Sequence, residues 1–304
     1  MSTEGVAVGS FAYELGDLEC KPYDLPDFEQ RWQSVSNGGD FTTMGCGTFR
    51  KMSGPVEQYV IATIKRTLAD RDLAARDVDR IVFATTDANL ALAGRDFVAT
   101  VLDAAGLVSC VPVMVSFQQC CASVTALSYG WSMFHDPAVR NVLVVAFDLT
   151  ASDSDRIRSF ALFGDGAASC LISRDGAPGL RLVGSEVRVD YDGLRGRDSM
   201  VSRQTIARDT LDSVLGSTRM DEVAMVFPTN LYLPLTSFNA MVTGIHKSKL
   251  HFAEMLYSAG HCGNCDWMLN LIGYRDKVGL REGGAYLSHA SAPGFFAWAL
   301  LVGT

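Results

Sequence analysis

The chain has 304 residues, 48% of them hydrophobic and 20% charged, with a formal net charge of −8. That is apolar material for one large or two ordinary domains, and it excludes a disordered chain. The acidic balance argues against general nucleic-acid binding. No stretch reaches the roughly 18 apolar residues of a membrane-crossing helix. Eight cysteines, with no basic and apolar leader before them, read as reduced thiols in a cytoplasm.

In chain order, Gly5 to Phe11 reads as a strand, and Asp17 to Asp40 as polar and irregular, broken at Pro22, Pro26 and Asn37-Gly38-Gly39. Val60, Ile64 and Leu68 share one face of a helix predicted over Val56 to Asp72. Val78 to Thr85 is an apolar strand, Asp96 to Ala105 a second helix, and Asn141 to Phe147 a buried strand ending at Asp148. The segment Ala161 to Ser173 holds a glycine-rich loop, Phe163-Gly164-Asp165-Gly166, and then a strand. Strands alternating with helices predict an α/β fold whose sheet is covered on both faces.

Between these lies Val111 to Gly130, a strand-like VPVMVSF run, Gln118-Gln119, two adjacent cysteines, and a helical pattern with Val124, Leu127 and Trp131. This places a thiol at a strand-to-helix turn. The first amides of a helix lack intrahelical acceptors and carry the positive end of its dipole, so a thiol there can become a nucleophilic thiolate. The plainer reading is a buried cysteine acting as a small hydrophobe.

The second half repeats the first faintly. Ile81 to Thr86 resembles Met225 to Asn230, and Cys121 and Asn264 follow at similar distances, each before a helical run. A period of this size predicts two fused copies of one α/β unit, with halves at 1–175 and 176–304 and two loops facing each other across the joint. The run Cys262-Gly263-Asn264-Cys265 is a C-x-x-C without a second pair or a histidine pair to complete a zinc site, so no metal is expected. The glycine-rich loop lacks the lysine of a phosphate-binding loop.

Four stretches, in this order, make the chain resemble the thiolase fold and, within it, the β-ketoacyl-ACP synthase III family: Asp77 to Thr86, Gln119-Cys120-Cys121-Ala122-Ser123, Leu162 to Ala167, and Gly263-Asn264. The resemblance implies a five-layered αβαβα architecture with two pseudo-symmetric halves, a homodimer joined through strands near Val111 to Phe117, and an acyl group carried on Cys121. Cys120 stands where the family has a small residue and is expected to pack. The ordinary donors are thioesters of coenzyme A or of an acyl-carrier protein's phosphopantetheine, with no permanently bound cofactor.

Two departures bear on the chemistry. Thr229 replaces the family's catalytic histidine, and the C-terminal glycine-rich loop reads Ser288-His289-Ala290-Ser291-Ala292-Pro293-Gly294. In the family the histidine and the asparagine, here Asn264, bind the thioester oxygen while carbon dioxide leaves. A threonine hydroxyl can neither carry an imidazolium charge nor take a proton at neutral pH. The expectation is a ketosynthase III-like acyltransferase of specialised metabolism that loads Cys121 and transfers without decarboxylation. The alternatives are a decarboxylating synthase and a non-catalytic partner subunit of a heterodimer. The candidate catalytic residues are Cys121, Asn264, Thr229 and His261. Arg156, Arg158, Phe163, His289 and Gly294 are the candidate substrate contacts, the two arginines toward phosphates. The loop Asp87 to Arg95 is a candidate wall of the partner's acyl pocket.

Overall fold

The computed structural model describes residues 5–36, 40–87, 94–197 and 199–304. Its strands are β1 (Ala7–Leu15), β2 (Leu18–Cys20), β3 (Phe49–Lys51), β4 (Arg80–Ala84), β5 (Val111–Val115), β6 (Asn141–Asp148), β7 (Gly166–Ser173), β8 (Leu180–Val189), β9 (Val223–Phe227), β10 (Ala285–Ala292) and β11 (Phe295–Gly303). The principal helices are α1 (Phe28–Ser36), α2 (Val56–Asp70), α3 (Gly94–Ala105), α4 (Ala122–Ser132), α5 (Met200–Leu215), α6 (Leu233–Val242), α7 (Ala253–Ala259) and α8 (Asp266–Val278).

Nine strands pair in the order β5-β4-β6-β7-β1-β8-β11-β10-β9. The internal repeat is visible in the senses of pairing. β4 lies parallel to β6, and β6 is antiparallel to β7, which is antiparallel to β1. β9 lies parallel to β10, and β10 is antiparallel to β11, which is antiparallel to β8. The two sets meet only at Val8 opposite Leu180. The fifth strand of the first set, β5, has as its counterpart in the second a single bridge from Val226 to Leu250.

Layering follows from which helices are apolar on one face and which all round. In α2, Val60, Ile64 and Leu68 are buried against the outer face of β4, β6 and β7, together with Phe97 and Val101 of α3. In α5, Leu211 and Val214 pack with Ala240 of α6 over Val226, Leu287 and Trp298. Helix α8 is buried at every residue from Asp266 to Leu271, and α4 from Ala122 to Val124 and at Ala126 and Leu127. Such helices need protein on both sides, and α4 and α8 form the middle layer between the two half-sheets. The result is helix, sheet, helix, sheet, helix: the five-layered α/β arrangement.

The predicted elements hold with shifted ends, as for β1, which starts later and runs to Leu15. Asp17 to Asp40 is not irregular throughout: it contains β2 and α1. The apolar face of α1 is thin but aromatic, with Phe28 stacked on Trp32 at 6.0 Å and Trp32 edge-on to Tyr232 at 5.7 Å. Of the loop Asp87 to Arg95, residues 88–93 lie outside the described residues.

The glycine-rich loop shows why a side chain is excluded beside the site. A Cβ on Gly164 would sit 2.0 Å from the carbonyl oxygen of Ala259. The Gly164 N–H donates to the His261 carbonyl at 3.0 Å, so the two segments cannot part without moving His261. Gly164→Ala is expected to destabilise the protein by about 2 kcal/mol or more, in the overpacking range, read as a lowered midpoint of chemical unfolding.

Candidate active site

The turn before α4 is bent tightly. Phe117 and Gln119 both have positive φ, 66° and 50°, although neither is glycine, a conformation that costs energy and clusters at functional sites. Gln119 opens a three-residue 3-10 turn, Gln119–Cys121, that runs into α4. The matching turn in the second half, Gly263–Cys265, opens with Gly263 at φ 58° and runs into α8. In this register Cys120, not Cys121, is the counterpart of Asn264.

The two adjacent cysteines face different surroundings. Cys121 is fully buried, and its thiol donates to the Ala290 carbonyl at 3.4 Å. Burial, and then the neighbouring Cys120, push the Cys121 thiol well above its ordinary range. Cys120 opens onto a cavity of about 860 Å³. Its sulfur lies 3.4 Å from His261 Nε2, and His261 Nδ1 lies 2.5 Å from Asp266 Oδ2. A sulfur, an imidazole and a carboxylate are thus in line, which the reading of Cys120 as a packing residue did not anticipate.

Each member is held by the local fold. Asp266 is the first residue of α8, where the helix dipole favours negative charge. Its carboxylate also accepts the N–H of Asn230 at 2.8 Å and of Cys262 at 2.7 Å. His261 is paired through its backbone with Leu162 and Gly164 of the glycine-rich loop, and Phe163 packs edge-on to its ring at 4.6 Å. Burial opposes protonation of His261, but Asp266 and Cys120 outweigh it, and its pKa stands well above the ordinary histidine value. Asp266 behind the ring thus favours protonation at Nε2.

The other predicted site residues separate into those at the cavity and those outside it. Thr229 lines it, and its hydroxyl oxygen accepts the Ser291 N–H at 3.2 Å. Phe163 and His289 line it as well. Asn264 does not: its amide donates to Asp148 Oδ2 at 3.1 Å and its oxygen accepts the Ser123 N–H at 2.9 Å, so both ends are occupied. Arg156 is not available to phosphates. It is 1% exposed, gripping both oxygens of Asp165 at 2.9 and 3.0 Å and reaching Asp153 at 2.9 Å. Arg158 is exposed and paired with Asp155 at 2.6 Å, off the cavity wall. Gly294, at φ 79°, shapes the β10–β11 turn against Leu194 rather than touching the cavity. Cys262 and Cys265 donate to separate backbone carbonyls, and no metal-binding group of side chains exists among the described residues.

Sequence reasoning did not bring Cys120 and Asp266 together with His261. A signal was present: Cys120 stands 35 residues after Thr85, as Asn264 does after Thr229. Asp266 was hidden because its role comes from the fold, which turns the start of α8 back toward His261.

The cavity runs from Cys120 outward between the second half-sheet and its covering helices. Val226, Phe296 and Trp298 form its floor, and Leu235, Phe238 and Val242 of α6 with Ala207 of α5 its roof. Its volume is at the upper end of the roughly 300–1,000 Å³ usual for small-molecule sites. His261→Ala is expected to slow alkylation of Cys120 by iodoacetamide at pH 7 by about tenfold or more, because the thiol loses the base that accepts its proton. Peptide mapping reads which cysteine is modified.

Residues 117–191 match the family model for 3-oxoacyl-[acyl-carrier-protein] synthase III. No curated protein matches the chain by sequence. Among solved structures, the acyltransferase ChlB3 superposes with a TM-score of 0.80 at 14% identity, covering 98% of this chain and 97% of its own. A variant of Xanthomonas campestris OleA with bound lauric acid and lauroyl-CoA superposes at 0.77, with 14% identity over 98% of both chains. The synthase III FabH of Xanthomonas oryzae pv. oryzae gives 0.77, again at 14% identity over 98% of both. The chain therefore has the thiolase-like fold of the condensing enzymes, and the turn that bears Cys120 and Cys121 lies within the stretch that matches synthase III.

Proposed function

We propose that the protein is an acyltransferase that takes an acyl group from a coenzyme A or carrier-protein thioester onto Cys120 and passes it to an acceptor without decarboxylation. The observation that carries this reading is the Cys120–His261–Asp266 line at one end of an apolar cavity. The match to synthase III, and the lauroyl-CoA bound to OleA, support a thioester donor.

In the first half-reaction His261 Nε2 takes the Cys120 proton as the thiolate forms. The thiolate attacks the thioester carbonyl, the bond to the departing sulfur breaks, and His261 returns its proton to that sulfur. In the second, the acceptor's oxygen or nitrogen attacks the acyl carbon while His261 takes its proton, and Cys120 leaves as the thiolate. Asp266 keeps the ring oriented and favours its protonated form. The same register argues against Cys121, whose sulfur has no base and points at a carbonyl.

Decarboxylation requires donors aimed at one developing oxyanion, and losing a donor commonly costs about 3–4 kcal/mol. Here Thr229 offers one hydroxyl, and Asn264 is committed to Asp148 and Ser123. Two copies joined at the free edge of β5 complete the proposal, since Val111 and Phe117 are exposed there and a bare apolar edge is a liability. Sedimentation at micromolar concentration is expected to give a dimer; a monomer would contradict that part.

Intact-mass measurement after incubation with a series of acyl-CoAs tests the whole. Cys120→Ala is expected to abolish loading and Cys121→Ala to retain it; the opposite pattern restores Cys121 as the nucleophile. The loaded enzyme, given malonyl-CoA, is expected to release carbon dioxide far below about 1 per second, the low end of ordinary turnover.

A further inference from the structure

The cavity carries a polar contact that the proposed chemistry does not use. On β10, residues 289 and 291 line the cavity, and residue 290, on the other face, packs in the core cluster that holds Cys121. His289 stands opposite Trp298 of β11, and their rings stack at 4.1 Å and 28°. The next pair on that face, Ser291 and Phe296, also lines the cavity. Because Ala290 accepts the thiol of Cys121, this part of β10 lies directly against the turn that bears Cys120.

His289 has no hydrogen-bond partner among the described residues, although His261 is fully engaged. The stacked Trp298 N–H is also buried without one. The His289 ring is half-buried and open to the cavity, so its nitrogens are available to a molecule held there. Burial pulls the His289 pKa down to about 4, so at neutral pH the ring offers one donor and one acceptor and no charge. Arg203, exposed on α5, is the one charged side chain among the described lining residues.

Resting on the acyltransferase reading, we propose that His289 is the hydrogen-bonding contact for the hydroxyl group of an uncharged, flat or apolar alcohol, which the cavity holds as the acyl acceptor. The indole fixes the imidazole plane, the aromatic and aliphatic walls take the body of the alcohol, and the strand neighbours of His289, Ser291, Phe296 and Trp298, carry no charge to compensate a carboxylate. His289 thereby sets which acceptor is presented to the acyl carbon, while His261 moves the proton.

The test uses benzyl alcohol and 4-(hydroxymethyl)benzoate, the same body with a carboxylate. Binding to the unacylated protein is followed by ligand-observed NMR. Transfer from the Cys120 acyl-enzyme is followed by intact mass. Benzyl alcohol is expected to bind and to discharge the acyl-enzyme saturably, and the anion to do so about tenfold less efficiently or worse. His289→Phe, which keeps a ring on Trp298, is expected to raise the KM for benzyl alcohol by about tenfold or more, a larger effect than on kcat or on loading. His289→Gln is expected to recover part of that loss. Absence of benzyl alcohol binding, equal use of the anion, or an unchanged KM in His289→Phe would overturn the proposal. Failure of Cys120 to load in wild type, with benzyl alcohol still bound through His289, would instead overturn the acyltransferase reading alone.

Discussion

The Asp148 carboxylate, buried where β6 ends, holds the two halves of the molecule in register. One oxygen accepts from the Thr85 hydroxyl and from the N–H and hydroxyl of Thr86; the other accepts from the N–H and side-chain amide of Asn264. Burial alone pushes such a group up, and its pKa remains raised, to about 6, even with these donors. The fit is close enough to exclude any side chain at 263, where a Cβ would meet Asp148 at 2.0 Å. Through Asn264 the restraint reaches the Ser123 N–H at the start of α4, and Ser123 in turn accepts from Trp267 of α8. Both middle-layer helices are thus pinned by one anion, and the positions of Cys120 and His261 follow from it.

This arrangement gives the asparagine a different use from the one its motif implies. With both amide ends committed, Asn264 caps the start of α4. The histidine three residues earlier places an imidazole beside Cys120, where position 229 has only a hydroxyl. Burial matters here in two ways. It penalises an isolated charge, and it strengthens the attraction between charges that are paired. His261 satisfies that condition with Asp266 behind it, whereas the Cys121 thiol has only a carbonyl beside it.

Much of the architecture was legible in the residues. The long apolar runs at Val78 to Thr85 and Asn141 to Phe147 are buried strands because helices cover both their faces, and α2 is where Val60, Ile64 and Leu68 place it. Helix α1 was not legible, because six polar residues obscure a face made of Phe28, Trp32 and Val35. At the site, the glycine-rich loop and the cysteine pair were visible as motifs, but which of the adjacent thiols meets the cavity was not. Strand and helix patterns fix position to within a residue or so, and one residue at a turn reverses which side chain meets the cavity. Arg156 was misread for a similar reason: a sequence displays its charge and not the buried Asp165 that consumes it.

The layering separates two properties of the molecule. Cys120, His261 and Asp266 sit on turns that lead into the middle helices, whereas the roof of the cavity belongs to α5 and α6, on the far side of the second half-sheet. Substitutions at Leu235, Phe238 or Val242 can reshape the space offered to a ligand without passing through the hydrogen bonds that align sulfur, imidazole and carboxylate. Sites more than about 7–10 Å apart with no shared partner usually combine additively. The outer helices are therefore a place where the molecule's range of ligands can be redrawn while its reactive centre is left as it is.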